Sequence, residues 1–367
     1  MAGMGKKSLT KAKIINYVIN HHTTSKVELS KNLNISMPTV LSNVNELQKE
    51  GVIVEEGEYE STGGRKAKQI CINASYRYAI GVMITREYVT MSLLNLRYEV
   101  EKKEKVELAF SSDLSYCTKL AEVVDEFMKN LREKDKILGI GISIPGIISQ
   151  EEKLVTKSHA LQLENYSLSF LEQAFSFPVY FENDANAAMM AEDLNLHKDA
   201  VYISLNTTLG GAFCVDGKLY HGQNQKAGEF GHMILRPDGR RCYCGKKGCA
   251  DAYCSARALV DESQETVEEF MKKVKEGDSI KEKKFEEYLN NLAIMISNLR
   301  MAYDTEIIVG GEVGGYLEEY MLLLGKKVME YNGFDRDVRY LKNCLYKKDE
   351  AAIGVAKHFL YEFINNI

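Results

Sequence analysis

Four of the chain's eight cysteines, Cys242, Cys244, Cys249 and Cys254, fall within thirteen residues. Thiols crowded this closely either cross-link or share a metal, and both choices fix the local backbone. In a chain of 367 residues with no secretory signal, metal ligation is the expected choice. The run Gly228-Glu229-Phe230-Gly231-His232 lies just upstream and supplies an imidazole. His232, Cys242, Cys244 and Cys249 together make the Cys3His set that closes a tetrahedral structural zinc site. Gly245 and Gly248 let the loop turn tightly enough for the sulfurs to converge. Cys254 falls one turn into an expected helix and reads as a spare buried thiol. Without metal, the same cluster would leave three close thiols open to oxidation.

The remaining composition, 45% hydrophobic and 27% charged, allows a large core. The length fits two or three domains at roughly 150 residues each. No apolar run approaches the roughly 18 residues of a membrane span or forms a signal-peptide core, so a soluble cytoplasmic protein with no membrane partner is expected. The net charge of −5 is unevenly spread. Residues 1–75 carry ten Lys or Arg and seven Glu with no Asp, a balance of +3, whereas the remainder carries 37 basic and 45 acidic residues, a balance of −8. A basic head on an acidic body points to a nucleic-acid-binding module joined to a second unit, although a solvated lysine face would give the same balance.

In the head, Leu9, Ile14, Ile15 and Val18 recur at helical intervals, and the helix should stop near His21-His22-Thr23-Thr24. Ser25 suits the N-cap of a short helix holding Val27, Leu29 and Leu33. Asn34-Ile35 makes a tight turn. Ser36 then caps a third helix with Pro38 in its first turn. There Val40, Val44 and Leu47 form the inner face, and Thr39, Ser42 and Asn43 are expected to point outward. This is a helix-turn-helix, and Ser36, Thr39, Ser42 and Asn43 are the candidates for base edges in a major groove. Gly51 ends the helix, Val52-Ile53-Val54 starts a strand, and Gln69-Ile70-Cys71-Ile72 returns as its partner. The tip between them, Ser61 to Lys68, is cationic through Arg65, Lys66 and Lys68, which suits a wing on DNA phosphates. A winged helix used only for protein contacts is the alternative.

Beyond residue 75 the pattern changes to strands alternating with amphipathic helices, the mark of an α/β fold. Strands are expected at Tyr78–Ile84, Val89–Leu94, Leu138–Ile144, Pro178–Phe181, Val201–Leu205, Ala212–Val215 and Ile307–Val309. Helices are expected at 115–131, 284–302 and 350–365. Ile144-Pro145-Gly146, Glu182-Asn183-Asp184-Ala185-Asn186 and Gly310-Gly311-Glu312-Val313-Gly314 follow strands.

These last motifs and the stretch Gly228–Ser255 resemble the ROK family of repressors, open reading frames and sugar kinases. The winged head resembles its repressor branch, which includes xylose-type repressors. The resemblance implies a two-lobed actin/hexokinase-like (ribonuclease H-like) body, with first lobe 76–195 and second lobe 196–367, behind a DNA-binding domain at 1–75. It implies that the last helix packs back toward the first lobe and that sugar binds between the lobes. It implies operator DNA as partner and a homodimer, with a tetramer as the alternative. It carries sugar-binding roles onto Asn183, Asp184, Glu229 and His232, and a zinc-ligand role onto His232, Cys242, Cys244 and Cys249. Asp184 matches the general base of the kinases; a helix N-cap is the alternative its position permits.

The chain departs from the family pattern in several places. Family kinases open the body with an Asp-x-Gly-Gly-Thr loop that cradles ATP phosphates; here the residues are Met83-Ile84-Thr85-Arg86-Glu87. The second phosphate loop reads Leu205-Asn206-Thr207-Thr208-Leu209-Gly210-Gly211 and keeps only its last glycines. Cys249-Ala250-Asp251 stands where the family has Cys-x-Glu, so Asp251 would reach the sugar only through a shift or a water. Ala160 and Leu163 replace an Asn and a Trp, and the chain has no Trp at all. The wing keeps Gly64-Arg65-Lys66-Ala67 but lacks the proline of its relatives. Phosphoryl transfer depends on positioning phosphates and metal, so no catalytic residue is expected. The expectation is a sugar-responsive transcriptional repressor of carbohydrate-utilisation genes with structural Zn2+, and the alternative is a sugar kinase that keeps a DNA-binding head.

Overall fold

The computed structural model describes residues 6–58, 68–131, 133–193, 197–260 and 265–367. The head begins with α1 (Lys6–His21), α2 (Lys26–Asn32) and α3 (Met37–Glu50), followed by the antiparallel strands β1 (Ile53–Glu58) and β2 (Lys68–Ile72). Ser25 and Glu28 form a reciprocal capping box on α2, and Ser36 caps α3 with Pro38 in its first turn. Asn34 takes up a left-handed backbone in the turn between the two helices, and Gly51 closes α3 in the same way. Leu9 is 47% exposed and Val27 63%, so neither belongs to the inner face. At 100° per residue, Leu9 lies 140° round the helix from Ile14.

The first lobe contains β3 (Tyr78–Ile84), β4 (Tyr88–Asn95), β5 (Val100–Glu107), α4 (Leu114–Phe127) and β6 (Ile137–Ile144). A small sheet of β7 (Ile147–Ser149), β8 (Leu154–Ser158) and β9 (Leu163–Ser167) follows, then α5 (Ser169–Gln173), β10 (Val179–Asn183) and α6 (Asp184–Ala191). The main sheet runs β10-β6-β3-β4-β5, with β10, β6 and β3 parallel and β4 and β5 antiparallel.

The second lobe has β11 (Ala200–Leu205), β12 (Leu209–Val215) and β13 (Lys218–Leu219), then α7 (Asp251–Cys254), α8 (Ala256–Val260), α9 (Val267–Lys275) and α10 (Ser279–Tyr303). It continues through β14 (Glu306–Gly310), α11 (Gly311–Gly314), α12 (Met321–Tyr331) and β15 (Leu341–Asn343), and the chain ends in α13 (Glu350–Asn366). Its sheet runs β13-β12-β11-β14-β15, the same plan as the first: a three-strand antiparallel meander, then two further strands added in parallel. Of the motif Gly310–Gly314, Gly310 ends β14 and Gly311–Gly314 make a turn of helix as α11.

Helix α13 returns to the first lobe and lies against α6, β3 and β6. The approach is close enough that a Cβ on Gly354 would meet the Ala187 carbonyl oxygen at 1.7 Å, so only glycine fits. The far end of α13 reaches the head. Ile353, Ala356, Leu360 and Ile364 share one buried cluster with Ile14, Ile15 and Val18 of α1 and with Val40, Val44 and Leu47 of α3. Tyr76 and Phe363 meet at 5.9 Å between ring centroids, with the Arg77 guanidinium over both rings. One helix thus touches both the DNA-reading unit and the helix that opens at Asp184.

Among the described residues, no helix is long and apolar enough to cross a membrane.

Candidate functional site

Strand β10 ends at Asn183, whose side chain accepts the Ala185 and Asn186 amides at 2.9 and 3.1 Å and so caps α6. The capping role that Asp184 could have filled therefore belongs to Asn183. Its Nδ2 donates to the Gly146 carbonyl at 2.8 Å and to Asp184 Oδ1 at 3.0 Å, tying the Pro145-Gly146 turn to the acid. Asp184 opens α6 inside the cleft. Burial pushes its carboxyl above the usual carboxylate range, only partly opposed by backbone amides and Asn183.

The cleft takes in about 430 Å³ including its mouth and is lined by Gly146, Asn183, Asp184, Gly210, His221 and Glu229, among others. Glu229 faces Asp184 from the second lobe. Burial, then the charge of Asp184, raises its carboxyl.

Glu182 and His221 were not singled out in the sequence. Glu182 is almost wholly buried and accepts four donors: Tyr180 Oη at 2.6 Å, His221 Nε2 at 3.0 Å, the Asn183 amide at 2.9 Å and Asn186 Nδ2 at 3.0 Å. Burial works against its charge, but these bonds, His221 first, hold it below the usual value. The same bond raises the His221 imidazole.

His232, Cys242, Cys244 and Cys249 bring one donor atom each to within 4.8 Å of one another. Cys244 and Cys249 hold their sulfurs 3.7 Å apart. Thiolates 2.3 Å from zinc at the tetrahedral angle stand ~3.8 Å apart, so the donors fit such an ion. Gly245 and Gly248 both have a left-handed backbone, and a Cβ on Gly248 would strike the Arg236 carbonyl oxygen at 1.9 Å. His232 turns Nδ1 toward Cys242 Sγ at 3.9 Å, leaving Nε2 near Glu229 at 3.9 Å and the Tyr243 hydroxyl at 3.3 Å. Cys254 is buried in α7 outside the cluster.

Two expected sugar contacts stand apart from the cleft lining. His232 lies behind Glu229 in the cysteine cluster. Asp251 must be corrected: it is 4% exposed, and its Oδ1 accepts the Leu209 amide at 2.7 Å. Asp at the start of α7 is too short to leave that amide, so it anchors the β11–β12 turn. Leu163, where the family carries an aromatic, is buried in the first-lobe core.

The two loops that the resemblance assigns to phosphate are tied by their own side chains. Thr85 Oγ1 donates to the Tyr88 carbonyl at 2.8 Å and locks the β3–β4 turn. Asn206 Oδ1 takes the Glu312 amide at 2.7 Å, at the start of α11, while its Nδ2 donates to Ser204.

In the head, Thr39 and Ser42 are exposed as expected. Asn43 is a correction: it is 4% exposed and donates to the Thr39 carbonyl at 2.8 Å. Val40, Asn43, Val44 and Leu47 fall at i, i+3, i+4 and i+7, a single helix face. Ser36 is exposed, but its hydroxyl is engaged as the cap and bonded to Thr39 Oγ1 at 2.8 Å. Lys68 is paired with Glu55 at 2.7 Å, whose carboxyl that contact helps lower to about 2. Arg65 and Lys66 lie outside the described residues.

The ROK family profile matches residues 79–359, and a winged helix-turn-helix DNA-binding profile matches residues 8–54. A xylose repressor of Caldicellulosiruptor bescii is 28% identical over 374 residues, spanning 95% of this chain and 94% of its own. The crystal structure of a ROK family transcriptional regulator, a homolog of the Escherichia coli MLC protein, superposes with a TM-score of 0.75 at 21% identity over 98% of both chains. A ROK family glucokinase from Streptomyces griseus, solved with glucose and AMPPNP, gives a TM-score of 0.62 at 22% identity over 77% of this chain and 98% of its own. At such identities the two structures speak for the fold.

Proposed function

The chain belongs to the ROK family, and from that premise we propose that it is a sugar-responsive transcriptional repressor that transfers no phosphate. The observation that carries this reading is α13: it joins a winged helix-turn-helix to α6, which opens at the cleft carboxylate Asp184. Two copies would place their recognition helices on two operator half-sites. A small sugar would be held by Asp184 and Glu229, with Asn183 fixing the approach of Asp184 and His232 backing Glu229. Such a ligand favours one arrangement of the lobes, and α13 passes the preference to the head. Operator affinity then changes by the sugar's differential affinity for the two states, typically about 1–3 kcal/mol, or 5–150-fold.

Zinc on His232, Cys242, Cys244 and Cys249 would act structurally, holding the Glu229–His232 segment against the cleft. Anisotropy on the chain's upstream DNA, titrated with pentoses, hexoses and amino sugars, tests the reading; the xylose repressor relatives put xylose first. One sugar should change the affinity. DNA binding indifferent to every sugar would sink the cleft assignment. Stripping the metal should abolish the response and lower the melting temperature by about 10 °C, reflecting the stability a structural zinc supplies.

The closed β3–β4 turn and the Asn206–Glu312 bond favour a regulator over a kinase. Sugar-dependent ATP turnover that Asp184→Asn abolishes would reverse that choice.

A further inference from the structure

The outward face of α3 is chemically unusual for a surface meant to meet DNA. Pro38, Thr39, Leu41, Ser42, Asn45 and Lys49 are its exposed residues. Its polar groups are partly used up, since Ser36 and Thr39 bond each other and Asn43 is buried. Glu46 and Glu50 are turned to α1, where Lys7 and Lys11 pair with them at 2.7 and 3.0 Å. No Arg or Lys stands on α3 before Lys49 in its last turn, so the end that enters the groove first carries no fork for a guanine. Toward one edge of that face, about 100° round the helix from Val40, Leu41 is 40% exposed.

A lone exposed leucine needs no explanation on an ordinary surface. This one lies one turn before Asn45, about 40° from it round the helix, and so shares an exposed stripe with Asn45 and Lys49. The floor of the major groove offers one apolar group, the C5-methyl of thymine. Cytosine at the same place would present an amine with no acceptor on leucine to receive it.

We infer that Leu41 reads a thymine methyl in each operator half-site and that Asn45 takes the N6/N7 edge of a neighbouring adenine. The inference rests on the DNA-binding reading of the head. It assigns specificity to two residues, one of them apolar, that a search for polar side chains passes over.

The test uses the full-length, zinc-loaded protein. Bound duplexes are selected from a random library, and anisotropy is then measured with each thymine of the selected site replaced in turn by deoxyuridine, which deletes only the methyl. One thymine per half-site should lose about three- to fivefold in affinity, the worth of one buried methyl-sized group. Leu41→Ala should lose as much on thymine DNA and become indifferent to deoxyuridine at that position. Asn45→Ala should lose about tenfold and relax selection at the adjacent adenine. Both side chains are exposed, so the helical circular dichroism should not change. A selected site with no sensitive thymine, or a deoxyuridine penalty that persists in Leu41→Ala, overturns this inference alone. Failure to enrich any duplex overturns the DNA-binding reading beneath it.

Discussion

On the wall of the cleft built from β10 and α6, buried polar groups are held by one another and one acid is left facing the ligand space. Glu182 gathers four donors, Asn183 spends its amide on Gly146 and Asp184, and half-buried Asp184 has its charge poorly compensated. On the wall built from the β3–β4 turn, the β11–β12 turn and α11, the groups a phosphate would need are spent internally. Thr85 closes one turn on Tyr88, and Asn206 occupies the Glu312 amide. The two walls share a scaffold of duplicated sheet plan. Their difference teaches that two regions on a duplicated sheet plan can be furnished in opposite ways, one leaving a carboxylate open to a ligand and the other bonding its polar groups to one another.

The largest expected effect comes from emptying the furnished wall. Asp184→Asn should weaken sugar binding by about a hundredfold or more, because two hydrogen bonds to a charged acceptor are each worth about 1.5–3 kcal/mol. Operator binding without sugar should be unchanged. The same variant should be more stable without ligand. Burial raises the folded carboxyl above its unfolded value near 3.8, so at neutral pH its charge opposes folding, and the amide removes that opposition. The melting temperature without ligand should therefore rise, by about 1–2 °C. A variant that keeps its sugar response would break the comparison outright.

The sequence reveals most where the governing interactions are local. The caps at Ser25 and Ser36, the glycine stop at Gly51 and the metal cluster all depend on residues within a few positions or one loop. Asn43 was misplaced because its residue type suggested an outward face, whereas its spacing from Val40 and Leu47 puts it inside. Strand β5, Val100-Glu-Lys-Lys-Glu-Lys-Val-Glu, carries almost no apolar signal, since an edge strand can be held by its ladder to β4. Glu182 belongs to the recognisable run Glu182–Asn186, but its partner His221 comes from 39 residues away, after β13. Nothing in the spacing of either residue announces that pair. Asp251, where the resemblance expects a Glu, is held by the Leu209 amide from a turn 42 residues away, which its own spacing does not announce.

A smaller effect probes the anchored acid, Glu182, and its histidine partner. His221 has its folded value raised above 6.5, so its contribution is full below that pH and fades as pH rises through the folded value. Glu182 has its value lowered below 4.5, so its contribution is full above 4.5 and fades as pH falls through the folded value. The pair therefore stabilises most between 4.5 and 6.5. The melting difference between wild type and Glu182→Gln should be largest at about pH 5.5 and smaller at about pH 8.5. A difference flat across that range would mean that the carboxylate serves shape and not charge.

The smallest effect tests how thoroughly the other wall is closed. Asn206→Gly deletes the bond to the Glu312 amide and the one to Ser204, and a net loss of about 1–2 kcal/mol is expected from two such bonds. It leaves the β3–β4 turn locked by Thr85, with no aspartate there to position a metal ion. Millimolar ATP should therefore give neither a thermal shift nor sugar-dependent turnover in this variant, while the sugar effect on operator binding persists. If ATP turnover appears with this one substitution, the wall is merely plugged, and the β3–β4 turn is not the barrier its geometry makes it. A side chain that blocks a site and a loop that cannot build one give the same inactive protein. Only freeing the amide tells them apart.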